Sequence, residues 1–542
     1  MTGPAPGFVP AGSLTLDEVL RQWAAHQPDA PALIYAREPS AGRTCTFAEL
    51  DRLADAFASA LIDAGVAPGA RVAVILSDEP ACLGAVYGIL RAGAIVVPID
   101  SAWGPISIAS TLVHAGPVVV TAATGDALHE CGLDEYAARF LPFTIEGRGS
   151  IAEDGSRGRD GITPLAVPVA SRATDSDVAM LAFTSGTTSR PKGVVIRHRH
   201  FRAAYRAGAE LLGLRRTRRF GCMFRLSGLG ILGMNYFLAH EVGAATVVLP
   251  EFSLATVKTF WADARRHAVE YVYLVPAVVQ IMNKVAEPLP HGEHAPAMLC
   301  VTAAAPISRQ NHAEFQERFG VPLRNAYGLT EASFAVFFGK TNVDGTASRS
   351  IGKAIAVQAR LLGDDGREID GPGVGALELR GPMVTDGYWQ DPEATEKLMH
   401  DGWLRTGDIA ERDEDGNFQI CGRIKDVVIR GGFNIHLTEV EEALLAHPEV
   451  AGACAVGLPD PLTGEELYAM VQLARVAPDA QADVQTIERW ARARLGQTRA
   501  PRRIFVSDEL PRNGAGKIVR SIVASEVQTR LRPGATARTP AS

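Results

Sequence analysis

Apolar side chains recur at helical spacing through Phe47, Leu50, Leu53, Ala54, Phe57, Ala58, Leu61 and Ile62 and stop at Gly65. Thr46 and Glu49 stand where a capping box closes a first helical turn, so the pattern predicts an amphipathic helix with a defined start. Residues 72–76 are a short unbroken apolar run, as expected of a strand buried on both faces; a helix through Leu90 and a strand near 95–97 follow. The apolar stretch 81–98 is interrupted by Arg91 and reads as that helix and strand rather than as a membrane span. Further strand-like runs at 118–120, 178–183, 246–249, 271–275 and 298–302 alternate with helical segments such as 253–267. Alternation of this kind predicts largely parallel sheets covered by helices, an α/β architecture.

Beyond about residue 350 the pattern changes. Gly363-Asp-Asp-Gly366 and Asp413-Glu-Asp-Gly416 are hairpin signals and predict a small, mostly antiparallel β subdomain. Past Gly422, a helix at 437–446 and strands at 452–456 and near 468–473 outline a compact α+β unit, with a boundary near 422–425. The expected division is an N-terminal domain over 1–422, a C-terminal domain over 423–530 and, over 531–542, a disordered tail rich in Pro, Ala, Thr and Arg.

A chain of 542 residues has room for such units, and its 47% hydrophobic and 21% charged residues, with no long biased tract, mark it as globular. The formal charge of −7 gives no electrostatic footprint for nucleic acid, and the run Arg215, Arg216, Arg218, Arg219 reads as a solvated turn. Seven cysteines, at 45, 82, 131, 222, 300, 421 and 454, lie scattered without a C-x-x-C pair or a neighbouring His cluster, so neither a disulfide framework nor a zinc site is expected. The opening MTGPAPGFVPAG lacks a basic patch followed by an apolar core; a secretory signal is not expected, and a reducing cytoplasm is the expected location.

Directly after the 178–183 run comes Thr184-Ser-Gly-Thr-Thr-Ser-Arg-Pro-Lys-Gly193. Such a loop can wrap a polyphosphate: Gly186 lets backbone N–H groups approach anionic oxygens, the hydroxyls of Ser185, Thr187 and Thr188 add donors, and Lys192 supplies a point charge. It is not a Walker loop, because G-x-x-x-x-G-K-[ST] is absent. In order and composition it closely resembles the phosphate-binding signature of the adenylate-forming superfamily, which contains acyl-CoA synthetases, peptide-synthetase adenylation domains and luciferases. Other segments resemble that family in its own order. Ala303-Ala-Ala-Pro306 is similar to its adenine-edge segment, Asn325-Ala-Tyr-Gly-Leu-Thr-Glu331 to its second nucleotide motif, and Gly402-Trp-Leu-Arg-Thr-Gly-Asp408 to its ribose-binding stretch. Gly422-Arg-Ile-Lys-Asp426 with Gly431-Gly432 and Glu439-Val-Glu441 resembles its hinge and the start of its C-terminal domain, and Pro511-Arg-Asn-Gly-Ala-Gly-Lys517 its terminal lysine motif. Residues 45–100 also look like the family's opening helix–strand region.

The resemblance implies that the small C-terminal domain is mobile and that the chain uses ATP to convert a small carboxylic acid into an acyl-AMP, releasing pyrophosphate, then passes the acyl group to the thiol of CoA. ATP, Mg²⁺ and CoA are the implied cofactors and co-substrates. Adenylation brings two anions together, and two unit charges about 4 Å apart repel by about 4 kcal/mol at an effective dielectric near 20. By resemblance Lys517 bridges the attacking carboxylate and the α-phosphate, Thr330 bonds the phosphate and Glu331 holds Mg²⁺. Tyr327 would stack on adenine, with Ala303, Ala304 and Ala305 on the base's other face. Asp408 would accept the ribose hydroxyls, reinforced by Arg423, and Asn325, Ala326, Gly328 and Ile420 would complete the nucleotide contacts. Taken singly, Tyr327 fits a core residue, Asp408 a turn and Lys517 a solvated lysine; the motifs around them give the functional reading. Lys425 stands at the hinge, and Gly431 and Gly432 would line a pantetheine tunnel, since a missing Cβ lets a slender thiol arm pass; a tight turn is the plainer account of the same pair.

The expected acyl pocket comprises Arg225, Leu226, Ala303, Ala326, Ser333 and Phe334. Here the chain departs from the family: Phe224-Arg-Leu-Ser-Gly228 carries Arg225 where a histidine is usual. An arginine stays charged and forks towards oxyanions, so it either favours a polar or anionic group in the acid or turns outward onto Phe224. No Asp lies between Phe224 and Asn235, which argues against an α-amino acid substrate. Ser189 replaces a frequent glycine, and His436 and Leu437 precede Glu439 where small residues or proline are common. Two rival readings stay open. The acceptor is either CoA or else a carrier-protein phosphopantetheine arm, a small nucleophile or an oxyanion. Alternatively the chain is a catalytically idle nucleotide-binding relative, against which Lys192, Glu331, Asp408 and Lys517 stand together. Neither the acid nor the oligomeric state is written in these motifs.

Overall fold

A computed structural model describes residues 14–38, 41–103, 105–123, 129, 133, 140–142, 168–184, 191–287, 298–339, 350–431, 433–473, 480–512 and 518–531. The helix foreseen after the capping box is Phe47–Asp63, and its start is built as expected: Glu49 N–H donates to Thr46 Oγ1 at 3.2 Å, and Thr46 N–H donates to Glu49 Oε2 at 2.8 Å. Against it lies helix Pro80–Arg91, buried along its whole length, as a helix apolar on every side must be. Two glycines let the helices meet. A Cβ at Gly84 would stand 2.6 Å from Leu53 Cβ, and one at Gly88 2.8 Å from the Ala54 carbonyl oxygen.

Arg91, the one charge in that helix, is wholly buried. A buried guanidinium persists only if it is paired and hydrogen-bonded, and Arg91 meets Asp51 at 2.5 Å, Asp55 at 2.8 Å and Asp17 at 3.7 Å. Arg21 also binds Asp55, which in turn accepts from the Val169 N–H at 2.9 Å. One charge cluster thus ties helices Leu16–His26, Phe47–Asp63 and Pro80–Arg91 to the segment at Val169.

The helices cover two sheets. In the first, strands Leu323–Leu329, Leu299–Thr302, Tyr271–Leu274, Arg219–Cys222, Ala245–Val248 and Pro31–Tyr35 run parallel in that order. Antiparallel strands extend it at both edges. In the second, Phe140–Pro142, Val119–Ala122, Arg71–Ile75, Ile95–Ile99 and Val178–Thr184 are parallel, and Lys192–Arg197 returns antiparallel to the last. A third, antiparallel sheet holds Gln358–Leu362, Gly373–Arg380, Trp403–Arg412, Met399–His400 and Phe418–Arg423, with its turns at the two Gly/Asp signals. After the short turn Ile424–Asp426 a fourth sheet begins. It is built from Phe433–His436, Val427–Arg430, Gly464–Leu473, Val450–Asp460 and Arg503–Ser507 and carries helices Leu437–Leu445, Ala480–Arg499 and Arg520–Leu531. The fold is therefore mixed α/β, with largely parallel helix-covered sheets in its larger part. Among the described residues no helix is long and apolar enough to cross a membrane.

Cys45, Cys82, Cys222, Cys300 and Cys454 are buried and unpaired. Burial pushes the thiols of Cys45, Cys82, Cys222 and Cys454 up to about 12.

Replacing Arg91 by Met should strip three carboxylates of their common partner and cost about 3–5 kcal/mol, the range for breaking a buried ion pair from one side. Urea denaturation followed by tryptophan fluorescence would read this as an earlier first transition. An unchanged midpoint in Arg91→Met would show that the cluster contributes no stability.

Candidate active site

Open parallel sheets bind ligands beyond the carboxyl ends of their strands. Strand Arg219–Cys222 leads into Phe224–Leu226, Leu299–Thr302 into Ala303–Ala305, and Leu323–Leu329 into Thr330 and Glu331. From the second sheet, Arg71–Ile75 leads to Asp78, Ile95–Ile99 to Asp100 and Ser101, and Val178–Thr184 into the 185–190 loop. The two sets of strand ends are joined. Leu226 N–H donates to Asp78 Oδ1 at 2.8 Å, Arg37 bonds both Asp78 and the Phe224 carbonyl, and Arg225 Nη2 donates to Ser101 Oγ at 2.7 Å.

Thr184 and Lys192 pair across the antiparallel strands that flank the loop, which fixes both ends of the hairpin. Ser185, Gly186, Thr187, Thr188 and Ser189 lie outside the described residues, as do Gly432 and Lys517. The chain on either side of Lys517 is described: Arg512 and Ile518 form an antiparallel bridge, and Val519 N–H donates to the Pro511 carbonyl at 2.8 Å.

The segment 385–389 joins the phosphate-loop hairpin to the turn Thr330–Ala332. Val195 N–H donates to the Gly387 carbonyl at 3.0 Å and Trp389 N–H to the Gly193 carbonyl at 2.7 Å, while Thr385 N–H reaches the Glu331 carbonyl at 2.8 Å. Tyr388 is carried between them. Its hydroxyl donates to Glu331 Oε1 at 2.8 Å, and Lys192 Nζ sits 5.0 Å from its ring centroid. Tyr388 belongs to no motif recognised in the sequence; an aromatic between Gly387 and Trp389 carries no periodic or spacing signal of its own.

Tyr327, Asp408 and Arg423 form a second group. Asp408 is nearly inaccessible, takes the Tyr327 hydroxyl on Oδ2 and the Arg423 Nε–H on Oδ1, the latter at 2.9 Å, and lies opposite Arg423 in register. Burial, and then the Asp408 carboxylate, raise the Tyr327 phenol well above its ordinary value, so it remains a donor. The ring of Tyr327 meets Phe337 edge-on with centroids 5.8 Å apart. Gly328 cannot carry a side chain, since a Cβ would stand 2.3 Å from the Phe334 carbonyl oxygen. Ala304 takes a left-handed φ of 76° in the exposed turn after its strand.

Other expected residues are distributed unevenly. Leu226, Ala303, Ala326 and Phe334 share one apolar core, and Phe334 packs edge-on against Tyr205 at 5.1 Å. The Ser333 hydroxyl is spent on the Met383 carbonyl at 2.9 Å. Asn325 pairs in register with Thr302, and Ile420 sits half-buried on the strand that also bears Arg423. Lys425 is exposed in the turn Ile424–Asp426, and Gly431 has φ 57° at a tip where its N–H donates to the Thr463 carbonyl at 2.9 Å. Arg225 does not stack on Phe224 through any described contact; its partner is the neutral hydroxyl of Ser101.

A fold whose strand ends converge on a phosphate-type hairpin, with a buried carboxylate held by a phenol and a guanidinium, is that of a nucleotide-using enzyme. The model of the AMP-binding enzyme family matches residues 20–389, and that of the AMP-binding enzyme C-terminal domain matches 439–517; the chain belongs to this family. Within it the chain is an AMP-forming acid–thiol ligase of the acyl-CoA synthetase-like branch. It is 32% identical to a sulfoacetate–CoA ligase from Cupriavidus necator, over 93% of this chain and 96% of that one. It is 28% identical to an oxalate–CoA ligase from Arabidopsis thaliana, over 94% and 98%. The crystal structure of ATP-bound MatB from Rhodopseudomonas palustris shares the fold, with a TM-score of 0.81, 23% identity and coverage of 96% and 100%.

Tyr327→Phe keeps the ring but frees Asp408 of one bond. It should raise the KM for ATP roughly 3- to 10-fold, the worth of one hydrogen bond, in pyrophosphate-release kinetics. Tyr327→Ala should lose more. Wild-type kinetics in Tyr327→Phe would remove the phenol from any part in holding Asp408.

Proposed function

We propose that the chain activates a short carboxylic acid bearing a second anionic group, first as its acyl-adenylate and then as its CoA thioester. What carries the adenylating half is a pair of contact groups, Lys192 to Tyr388 to Glu331 and Tyr327 to Asp408 to Arg423, which gather charged residues from distant parts of the sequence.

In the first half-reaction an oxygen of the acid attacks the α-phosphorus of ATP, and pyrophosphate leaves from the opposite side. Asp408 accepts the ribose hydroxyls. Each of its oxygens already holds one donor but retains a second lone pair, so the inward bonds orient the carboxylate without exhausting it. Lys192 and the 185–190 loop hold the departing phosphates, Thr330 bonds the phosphate, and Lys517 stands between the attacking carboxylate and the α-phosphate. The residues fit Mg²⁺. Glu331 is half-buried with one oxygen held by Tyr388 and the other without a partner among the described residues, and Mg²⁺ characteristically takes one or two protein carboxylates and completes its shell with phosphate and water oxygens. Held by Glu331, the ion would neutralise charge on the leaving group. In the second half-reaction the CoA thiol attacks the acyl carbonyl and AMP departs. Rotation of the 423–530 domain about Lys425 would retract Lys517 and bring Gly431 and Gly432 to the thiol's path.

Arg225 supports the choice of acid. It is exposed at the joined strand ends, and its described partner is an uncharged hydroxyl. Asp100 beside it is buried; burial raises its carboxyl, while the Ala102 N–H and the charge of Arg225 lower it. Two relatives are named for sulfoacetate and oxalate, each of which carries a second acidic group. An aliphatic tail would leave the guanidinium nothing to bind.

The test is pyrophosphate release over short sulfonated and dicarboxylic acids, monocarboxylic acids of equal length, aryl acids and fatty acids, with and without CoA. Sulfonated or dicarboxylic acids should react fastest, and Lys517→Ala should lose roughly 100- to 1,000-fold in rate, as when a preorganised charge stabiliser is removed. AMP release should require CoA; release indifferent to CoA would favour another acceptor. Arg225→Leu should lower kcat/KM for the dianionic acid by roughly 10- to 100-fold, the worth of a charged hydrogen bond, and spare the monocarboxylic acid. Equal losses for both acids would sink the assignment of the second anion to Arg225.

A further inference from the structure

Tyr388 touches both charged groups of the phosphate end and is fixed from three directions. Val194 and Tyr388 form an antiparallel bridge, the main chain on either side is bonded to Gly193 and Val195, and Tyr388 N–H donates to Thr395 Oγ1 at 2.9 Å. Gly387 makes this approach possible: it has φ 134°, and a Cβ there would stand 2.3 Å from Thr395 Cγ2. The backbone of Tyr388 is therefore set by the hairpin and by helix Pro392–Leu398, and its side chain has little freedom to follow a ligand.

We propose that Tyr388 is a positioning residue for the magnesium–ATP complex, one side chain that fixes the Lys192 ammonium with its ring and the Glu331 carboxylate with its hydroxyl. This rests on the reading of Lys192 and Glu331 given above. An ammonium and a carboxylate left side by side would pair, and that pair would have to break before either met phosphate or metal. Lys192 makes no ion pair among the described residues; its charge lies against the ring instead, an attraction weak enough to yield to a phosphate. The hydroxyl holds one Glu331 oxygen and leaves the other open.

The two contacts are separable. Tyr388→Phe removes the hydroxyl and keeps the ring, whereas Tyr388→Leu removes both. With the full-length enzyme, ATP binding is measured by calorimetry in excess Mg²⁺ and again in EDTA, and the Mg²⁺ dependence of pyrophosphate release is recorded with each variant's best acid. Tyr388→Phe should raise the Mg²⁺ concentration for half-maximal rate about 10-fold, as expected for loss of a hydrogen bond to a charged group. Its ATP affinity in EDTA should stay within about 2-fold of wild type, because the cation–ring contact survives. Tyr388→Leu should also weaken binding in EDTA, by roughly 3-fold. In both variants the KM for ATP should rise more than kcat falls. Glu331→Gln provides the reference: it should shift the Mg²⁺ dependence by itself, and adding Tyr388→Phe should shift it no further. A shift in Glu331→Gln with none in Tyr388→Phe, or additive shifts in the double variant, would overturn the role of Tyr388. No shift in Glu331→Gln would overturn the reading of Glu331, and the inference with it. Equal loss by Tyr388→Phe and Tyr388→Leu in EDTA would overturn the part given to the ring.

Discussion

The two large sheets share no strand, yet the charged groups of the site come from both. What aligns them is a set of main-chain hydrogen bonds made by residues 385–389, a segment of neither sheet, to Gly193 and Val195 on one side and Glu331 on the other. Thr385 adds its hydroxyl to the Val195 carbonyl at 2.6 Å, and Asp386 is held by Arg197 and Arg199. Backbone amides have no rotamers to lose, so a ladder of this kind places two side chains relative to one another more tightly than their own contacts could. The helical layer is fixed separately, through Arg91 and its three aspartates.

Most of the architecture was legible in the residue pattern. Helix Phe47–Asp63 begins at its predicted cap, and the predicted parallel strands lie within a residue or two of their observed ends, because long apolar runs bounded by polar punctuation leave little choice of period. Arg91 shows the limit of that reasoning. As a charge inside an apolar stretch it rightly argued against a membrane span, but its role is a buried hub whose partners lie 36 to 74 residues away, and no local pattern announces such a partner. The same holds for Tyr388, whose two contacts reach back to residues 192 and 331. The motifs that were visible are those in which several chemically necessary residues are adjacent in sequence. Ser333, expected in the acyl pocket, takes a left-handed turn and gives its hydroxyl to the Met383 carbonyl, a partner 50 residues away that no local pattern announces.

The site divides into a part organised before any ligand arrives and a part left open. Asp408 is braced from two sides, and its bracing groups come from the first and third sheets, so the orientation of its carboxylate is built into the scaffold. Arg225 is the opposite case, an exposed arm hydrogen-bonded to the Ser101 hydroxyl. Such a division suits an enzyme whose nucleotide is constant while its acid is selected by a few residues at the rim.

The buried cysteines acquire a meaning from this chemistry. An acyl-adenylate is an acylating agent that reacts with thiolates, and the enzyme that makes one is itself the nearest source of sulfur. Four thiols held protonated until about pH 12, and a fifth buried with them, are poor nucleophiles at neutral pH. Burial thus leaves these five thiols poor competitors for an activated acyl group.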